Sequence, residues 1–325
     1  MRVVPVPAHL DHLSVDQLAA GLGSWPPDDR MLVDAHATEW SSPAGFVALL
    51  TLGQALAEAG APQPRLTLPT ADHITSYWAK TGLLRHAKEL FELHGKVPRR
   101  KPDVSSDVLL PVTIIRNAGD VMEVVGTIGE EATRIMKHEL GLEPSVLGGF
   151  GQSLSESCQN IVEHAGTSGW VAVHVYQYSH RLGGRKVVVI GVSDAGIGFR
   201  RSLEATQGKR FGDRWSDGAA LESALIHGIS RFRDPGRGQG LAGIKRYVGR
   251  WQGKISIRSG TARVAFVPPW DDEPPRMEGL PWFPGSQVTI KVSSPTVGVP
   301  HFGFAPFPKK PLALYRLLKD IRARP

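Results

Sequence analysis

Three residues in the middle of the chain, Glu156, Asn160 and His164, recur at every fourth position within Ser153-Leu-Ser-Glu-Ser-Cys-Gln-Asn-Ile-Val-Glu-His-Ala165. On a helix that spacing lines them along one face. Leu154, Cys158, Ile161, Val162 and Ala165 form a second, apolar face, and Cys158 on it reads as inert packing. A helix packed on one side, with a carboxylate and an amide on the other, can hold a metal ion and a water beside it. The same residues also describe an ordinary solvated face, so the reading depends on what the rest of the chain sets against them.

Two glycine motifs follow. Asp194-Ala-Gly-Ile-Gly-Phe199 comes directly after the apolar run Lys186-Val-Val-Val-Ile-Gly-Val-Ser193. Gly196 and Gly198, placed after a strand, let the backbone approach a ligand closely. The Asp194 carboxylate can accept a hydrogen bond from an exocyclic amine such as that of adenine. A tight turn capped by an aspartate is the plainer alternative. Pro235-Gly-Arg-Gly-Gln-Gly-Leu241 then sets Gly236, Gly238 and Gly240 in alternation, with a helix beginning at Leu241. Amides at a helix N-terminus beside a glycine nest make an anion site, and Arg237 inside it can pair with phosphate. A flexible loop is the alternative there. Neither motif is the dinucleotide fingerprint or a P-loop.

The elements that must position these motifs fall into two groups. A strand at Met31–Asp34, a helix from Gly45 to Ala59, a strand from Arg65 to Leu68 and a helix from Ala71 to Leu93 predict a small parallel sheet with crossovers over residues 1–94. Ser42 and Pro43 suit the N-cap and first position of the first helix. Residues 95–107 are polar and basic, carry Arg99-Arg100-Lys101 and read as a linker. Residues 108–293 then give helices near 120–140, 144–165, 219–229 and 241–251. Between and around them lie strands near 109–115, 171–178, 186–193, 254–258, 262–267 and 287–292. This predicts an α/β sandwich: a mixed, antiparallel-dominated sheet with helices on one face. Residues 294–325 form a Pro-rich basic tail, with a short amphipathic helix expected over 311–322.

Composition bounds the function. The 325 residues suit two domains, and 41% hydrophobic with 21% charged residues is ordinary for a soluble globular protein. No apolar run reaches the roughly 20 residues of a membrane span, and Met1-Arg-Val-Val-Pro-Val-Pro lacks the apolar core of a signal peptide. A single cysteine excludes an internal disulfide framework and a cysteine-rich zinc site. These features lead us to expect a cytoplasmic protein. A net charge of +7 leaves nucleic acid and nucleotide phosphates open as partners.

Taken together and in this order, Glu-x-x-x-Asn on a helix, Asp-x-Gly-x-Gly after a strand and Gly-x-Gly-x-Gly before a helix resemble the GHKL (Bergerat-fold) ATPases. The resemblance covers roughly residues 107–292. Gly253-Lys-Ile-Ser-Ile-Arg-Ser-Gly260 is similar to the bacterial regulatory, anti-sigma-type members. It implies ATP and Mg²⁺ as cofactors, with Asn160 as metal ligand and Glu156 orienting or deprotonating the attacking water or hydroxyl. Asp194 would read adenine and Gly196 and Gly198 would form the turn on its side. Gly236, Arg237, Gly238, Gly240 and Leu241 would lie along the phosphates. The segment from Thr206 to Asp234 would be the ATP lid, with Lys209, Arg210 and Arg214 as phosphate contacts or exposed charges. His164 is expected to pack rather than to react. His138 lies too close ahead of Glu156 for a separate phosphoacceptor hairpin, which argues against a self-phosphorylating histidine kinase.

The first group resembles a STAS domain over Leu32–Asp34 and Ser42–Leu50, with Ala44 where a switchable serine would stand, so a docking or regulatory module is expected. The first reading is an ATPase or serine/threonine protein kinase acting with a protein partner, itself STAS-like or a signalling protein. The alternatives are a non-hydrolysing ATP-dependent switch and a nucleic-acid-associated ATPase of repair or defence. Oligomeric state stays open.

Overall fold

The computed structural model describes residues 1–98, 108–138, 144–178, 184–225, 240–251 and 253–293, with side chains set aside over 129–138, 144–147 and at 178. The expected tail helix over 311–322 and most of the expected linker lie outside these residues. Met1–Ser294 make one compact unit.

The N-terminal sheet is parallel throughout. It consists of β1 (Arg2–Pro5), β2 (Met31–Asp34), β3 (Arg65–Thr67) and β4 (Glu92–His94), in the spatial order β1-β2-β3-β4. The crossovers are α1 (Val15–Ala20), α2 (Pro43–Glu58) and the pair α3 (Asp72–Lys80) and α4 (Leu83–Leu90). The parallel sheet with crossovers follows the sequence pattern. The single helix expected over 71–93 does not form. Gly82 takes φ +83° and ends one helix before the next begins, and the chain then enters β4.

The second sheet has seven strands: β5 (Val108–Ile115), β6 (Gly169–Tyr178), β7 (Arg185–Asp194), β8 (Lys254–Gly260), β9 (Ala262–Phe266), β10 (Arg276–Met277) and β11 (Phe283–Ser293). Their order is β10-β9-β8-β11-β7-β6-β5, and every pairing is antiparallel. The helices of this half are α5 (Ala118–His138), α6 (Pro144–Asn160), α7 (Gly198–Leu203), α8 (Asp217–Ala224) and α9 (Gly240–Arg250). One face of the sheet, with Val173, Ile190, Val192, Ile257 and Ile290, packs on Leu154, Cys158 and Ile161 of the α6 region and on Ile244 of α9. This is the expected α/β sandwich.

The other face of that sheet is covered as well, by α2. Every residue from Pro43 to Leu56 is buried, because the helix lies between the N-terminal core and the second sheet. A helix placed so must be apolar nearly all round. Its few polar groups find partners across the junction. Thr51 Oγ1 donates to Ser193 Oγ (2.8 Å), and Gln54 bonds to Ser168 and accepts from Trp170 Nε1 (2.7 Å), while Ser42 Oγ caps the helix locally, accepting from the Gly45 N–H (3.3 Å). Gly191 in the middle of β7 is what lets α2 come this close: a Cβ there would stand 2.5 Å from the Ala44 nitrogen.

Beyond α2, the same face holds a buried ionic cluster. Arg258 and Arg263 reach Asp16 of α1 at 2.9 and 2.6 Å, Lys254 pairs with Asp271 at 2.7 Å and with Glu273, and His12 contacts Glu273 at 3.0 Å. Burial opposes ionisation of Glu273, but the hydrogen bond and charge of His12 and the Lys254 ammonium hold its carboxyl well below the usual carboxylate range. Burial and the Lys291 charge push His12 down. Buried charges of this kind are tolerated only when paired, so α1 and the turn before it are fixed to strands β8 and β9.

Gly191→Ala forces α2 off β7 and is expected to cost about 1–3 kcal/mol or more of unfolding free energy. Gly126→Ala, in the exposed middle of α5 where an added Cβ meets nothing within 4 Å, should gain about 0.5–1 kcal/mol. Denaturant titration of both variants distinguishes a docking glycine from a merely helical one.

Candidate functional site

The helix carrying Glu156 and Asn160 begins as α6 and ends in a π-helical turn, Ile161–Ala165, closed by Gly166 at φ +76°. Such turns widen a helix at places where a side chain or ligand must be accommodated. Ser153 and Ser157 point inward and bond back to Gly149 and Ser153 carbonyls (2.7 Å each), so they do not compete for the polar face. Cys158 is fully buried and burial pushes its thiol up to about 12, which leaves it unreactive.

The second motif packs on the end of this helix. The Ile197 amide donates to the Ala165 carbonyl (3.1 Å), and the backbone at Gly196 lies against Ala165 so closely that no side chain fits between. Gly198 takes φ +73° and starts α7. Ser259 of β8 holds the turn from behind, accepting from the Phe199 amide and donating to the Gly285 carbonyl, both at 3.1 Å. Gly285, at φ +66°, lies directly against the Asp194 carbonyl. Ser259 and Gly285 were not among the residues picked from the sequence. Their only signal is a serine and a glycine beside strand ends, which is too common to select.

The third motif enters the described residues at Gly240, the first residue of α9. A Cβ on Gly240 would stand 2.7 Å from Glu156 Oε2. The start of α9 therefore abuts the carboxylate of α6, as the glycine allows. Leu241 is buried in the core between α9 and the sheet, so its side chain packs. Gly236, Arg237 and Gly238 lie outside the described residues. So does 226–234, part of the expected lid. The described part of that segment is not all lid: Trp215, Ala220 and Leu221 are buried in the core of this half.

Two polar groups stand out. Asn160 Nδ2 is buried and has no hydrogen-bond partner among the described residues. Buried amides are usually satisfied, and this one lies one helical turn from the half-buried Glu156 carboxylate on the same face. Asp194 is 8% exposed at the end of β7. Burial pushes its carboxyl up to about 7, the Gly196 and Ser286 amides pull the other way, and the Glu58 charge at the end of α2 adds to the rise. The Gly196 amide donates to Oδ1 at 2.9 Å. A ligand amine donating to this carboxyl would favour its ionised form.

His164 sits in the π-helical turn near Glu163 (4.0 Å). The donor set suits a hard, oxygen-seeking cation between Asn160, Glu156 and a phosphate chain. An anion at the start of α9 and the Glu156 carboxylate repel unless a cation lies between them.

Residues 148–296 match the family model described as "Histidine kinase-, DNA gyrase B-, and HSP90-like ATPase". That segment is similar to a GHKL-type ATP-binding domain, and it contains the three motifs and six of the seven strands in full. No curated protein matches the chain. Among the described residues no helix is long and apolar enough to cross a membrane.

Because the folded Asp194 carboxyl titrates near 7 and an unfolded one near 3.8, the folded state binds more protons between those values. Its share of stability is present at low pH and is lost as pH rises through that window, on the order of a few kcal/mol. In Asp194→Asn that part of the decline should vanish. Unfolding titrations from pH 4 to 8 on both proteins measure it, with an unchanged pH profile as the contrary result.

Proposed function

We propose that this protein binds Mg·ATP along α6 and turns it over, either by hydrolysis or by transfer of the γ-phosphate to a serine or threonine of a protein partner. Asp194 takes the exocyclic amine of adenine while Gly196 and Gly198 let the base lie against the backbone. Asn160 holds Mg²⁺, whose positive charge offsets that of the phosphates and the neighbouring carboxylate. The start of α9 at Gly240, with Gly236, Arg237 and Gly238 ahead of it, lies along the phosphates. Glu156 orients the attacking oxygen and takes its proton.

The observation that carries this reading is the approach of Gly240 to the Glu156 carboxylate one helical turn from the unmatched Asn160 amide. Glu156 and Ala165, the residues against which the third and second motifs pack, are about 13 Å apart along the helix. That separation is comparable to the length of an extended nucleoside triphosphate.

The N-terminal half, with its STAS-like helix start, serves in this reading as the regulatory module that receives the protein partner. Its route to the nucleotide is short. Thr51 of α2 bonds to Ser193, the residue before Asp194, and the Glu58 carboxylate is among the charges felt at Asp194.

Glu156→Gln keeps the size and the hydrogen bonding of the side chain but cannot take a proton. Phosphate release and phosphotransfer should fall by about 10²–10⁴-fold, with ATP binding retained. Single-turnover assays with γ-labelled ATP measure this, and undiminished turnover in the variant contradicts the assignment. Tight binding with no turnover in the parent protein would select the non-hydrolysing switch instead.

A further inference from the structure

Directly after the Asp194 turn, the chain runs through consecutive helical turns from Gly198 to Phe211 and on to Arg214. Phe199, Leu203, Phe211 and Trp215 recur at multiples of four and pack on the core of the second half. Arg200, Arg201, Lys209, Arg210 and Arg214 lie off that stripe and are all exposed. None of the five side chains has a hydrogen bond or ion pair among the described residues. The two acids of the stretch do not pair with them: Glu204 accepts from Trp215 Nε1 at 3.2 Å, and Asp213 is exposed with no cation partner among the described residues. Elsewhere the exposed arginine Arg276 is matched with Glu222 and Glu278 at 2.7 and 3.0 Å. The packed apolar stripe thus leaves these five cations on the solvent side of the run.

We infer that this face docks the phosphate backbone of a nucleic acid duplex. Four of the five cations are arginines, whose planar fork suits phosphate oxygens. The helical run is about 20 Å long, roughly six phosphate steps along one strand. All three aromatic rings of the run turn inward, so it offers no platform for stacking unpaired bases. Ile197 is its one large exposed apolar residue, too little for a helix lying in a membrane surface. The chain's net charge of +7 favours approach to a polyanion. Binding of this kind reads no sequence. Because the face continues from the Asp194 turn, a bound duplex would lie next to the proposed nucleotide site, but the inference does not depend on that site.

The test is fluorescence anisotropy of the full chain with a labelled 20-base-pair duplex across a salt series. Binding should weaken with a log–log slope of about −4 to −5 if all five cations engage phosphates. In Arg200→Gln/Arg201→Gln the slope should become shallower by about 2. The charge-matched control Lys88→Gln/Arg116→Gln, removing exposed cations outside this run, should leave it unchanged. Thermal unfolding checks that both variants are folded. No binding at low salt, or equal slopes in the two double variants, overturns the inference. Tighter binding of labelled polyglutamate or of anionic vesicles than of the duplex overturns it in favour of an acidic protein or a membrane surface.

Discussion

The close approach of α2 to the second sheet is the constraint on which the molecule depends. A helix with a core on either side has no solvent face, so nearly every residue from Pro43 to Leu56 must be apolar or small. The sheet must in turn present small residues to it, which explains Gly191 and Ser193 in an otherwise β-branched strand. Those two residues lead into Asp194. The packing that joins the two halves therefore also fixes the last residue of β7, and with it the turn over which Gly196 meets Ala165. Between the two halves there is a shared layer rather than a loose contact.

That layer is apolar at one end and ionic at the other. Near Thr51, Gln54 and Trp170 it is held by neutral hydrogen bonds to buried groups. Near His12, Asp16, Lys254, Arg258, Arg263 and Glu273 it is held by matched charges that are buried except at the edge formed by Asp16. Breaking a buried pair leaves a charge that neither half can solvate. The neutral end lies beside the candidate site, and the Glu58 carboxylate reaches Thr167 Oγ1 just past the π-helical turn. A displacement of α2 would be felt first there.

Much of this was legible in the sequence, because it rests on local periodicity. The face of Glu156 and Asn160, the turn after β7, six of the seven strands of the second sheet and the two central parallel strands of the first follow from local pattern, while the short β10 falls in a stretch that reads as irregular. Among the described residues, Gly240 of the third motif lies beside Glu156 and Gly196 of the second lies against Ala165. What was not legible depends on partners far away in the chain. Lys254, Ser256 and Arg258 alternate like the wet face of an edge sheet, yet they are buried, because Asp16 and Glu273 lie distant in sequence. Strands as short as β1 and β4 carry too few residues for a pattern, and one glycine, Gly82, was enough to split a helix that reads as continuous. The all-round apolarity of α2 was a usable signal of double burial. Leu241 is a motif residue whose side chain the core takes up, so only its backbone is left at the start of α9.

The central claim is that nucleotide bound along α6 is sensed by α2. Amide hydrogen exchange of the full chain, with and without Mg·ATP, tests it most directly. The account predicts slower exchange at 156–165, 194–200 and 240–244, together with 51–58 at the carboxyl end of α2. Protection absent from α6 would contradict the site, and protection of α6 with α2 unchanged would contradict the coupling.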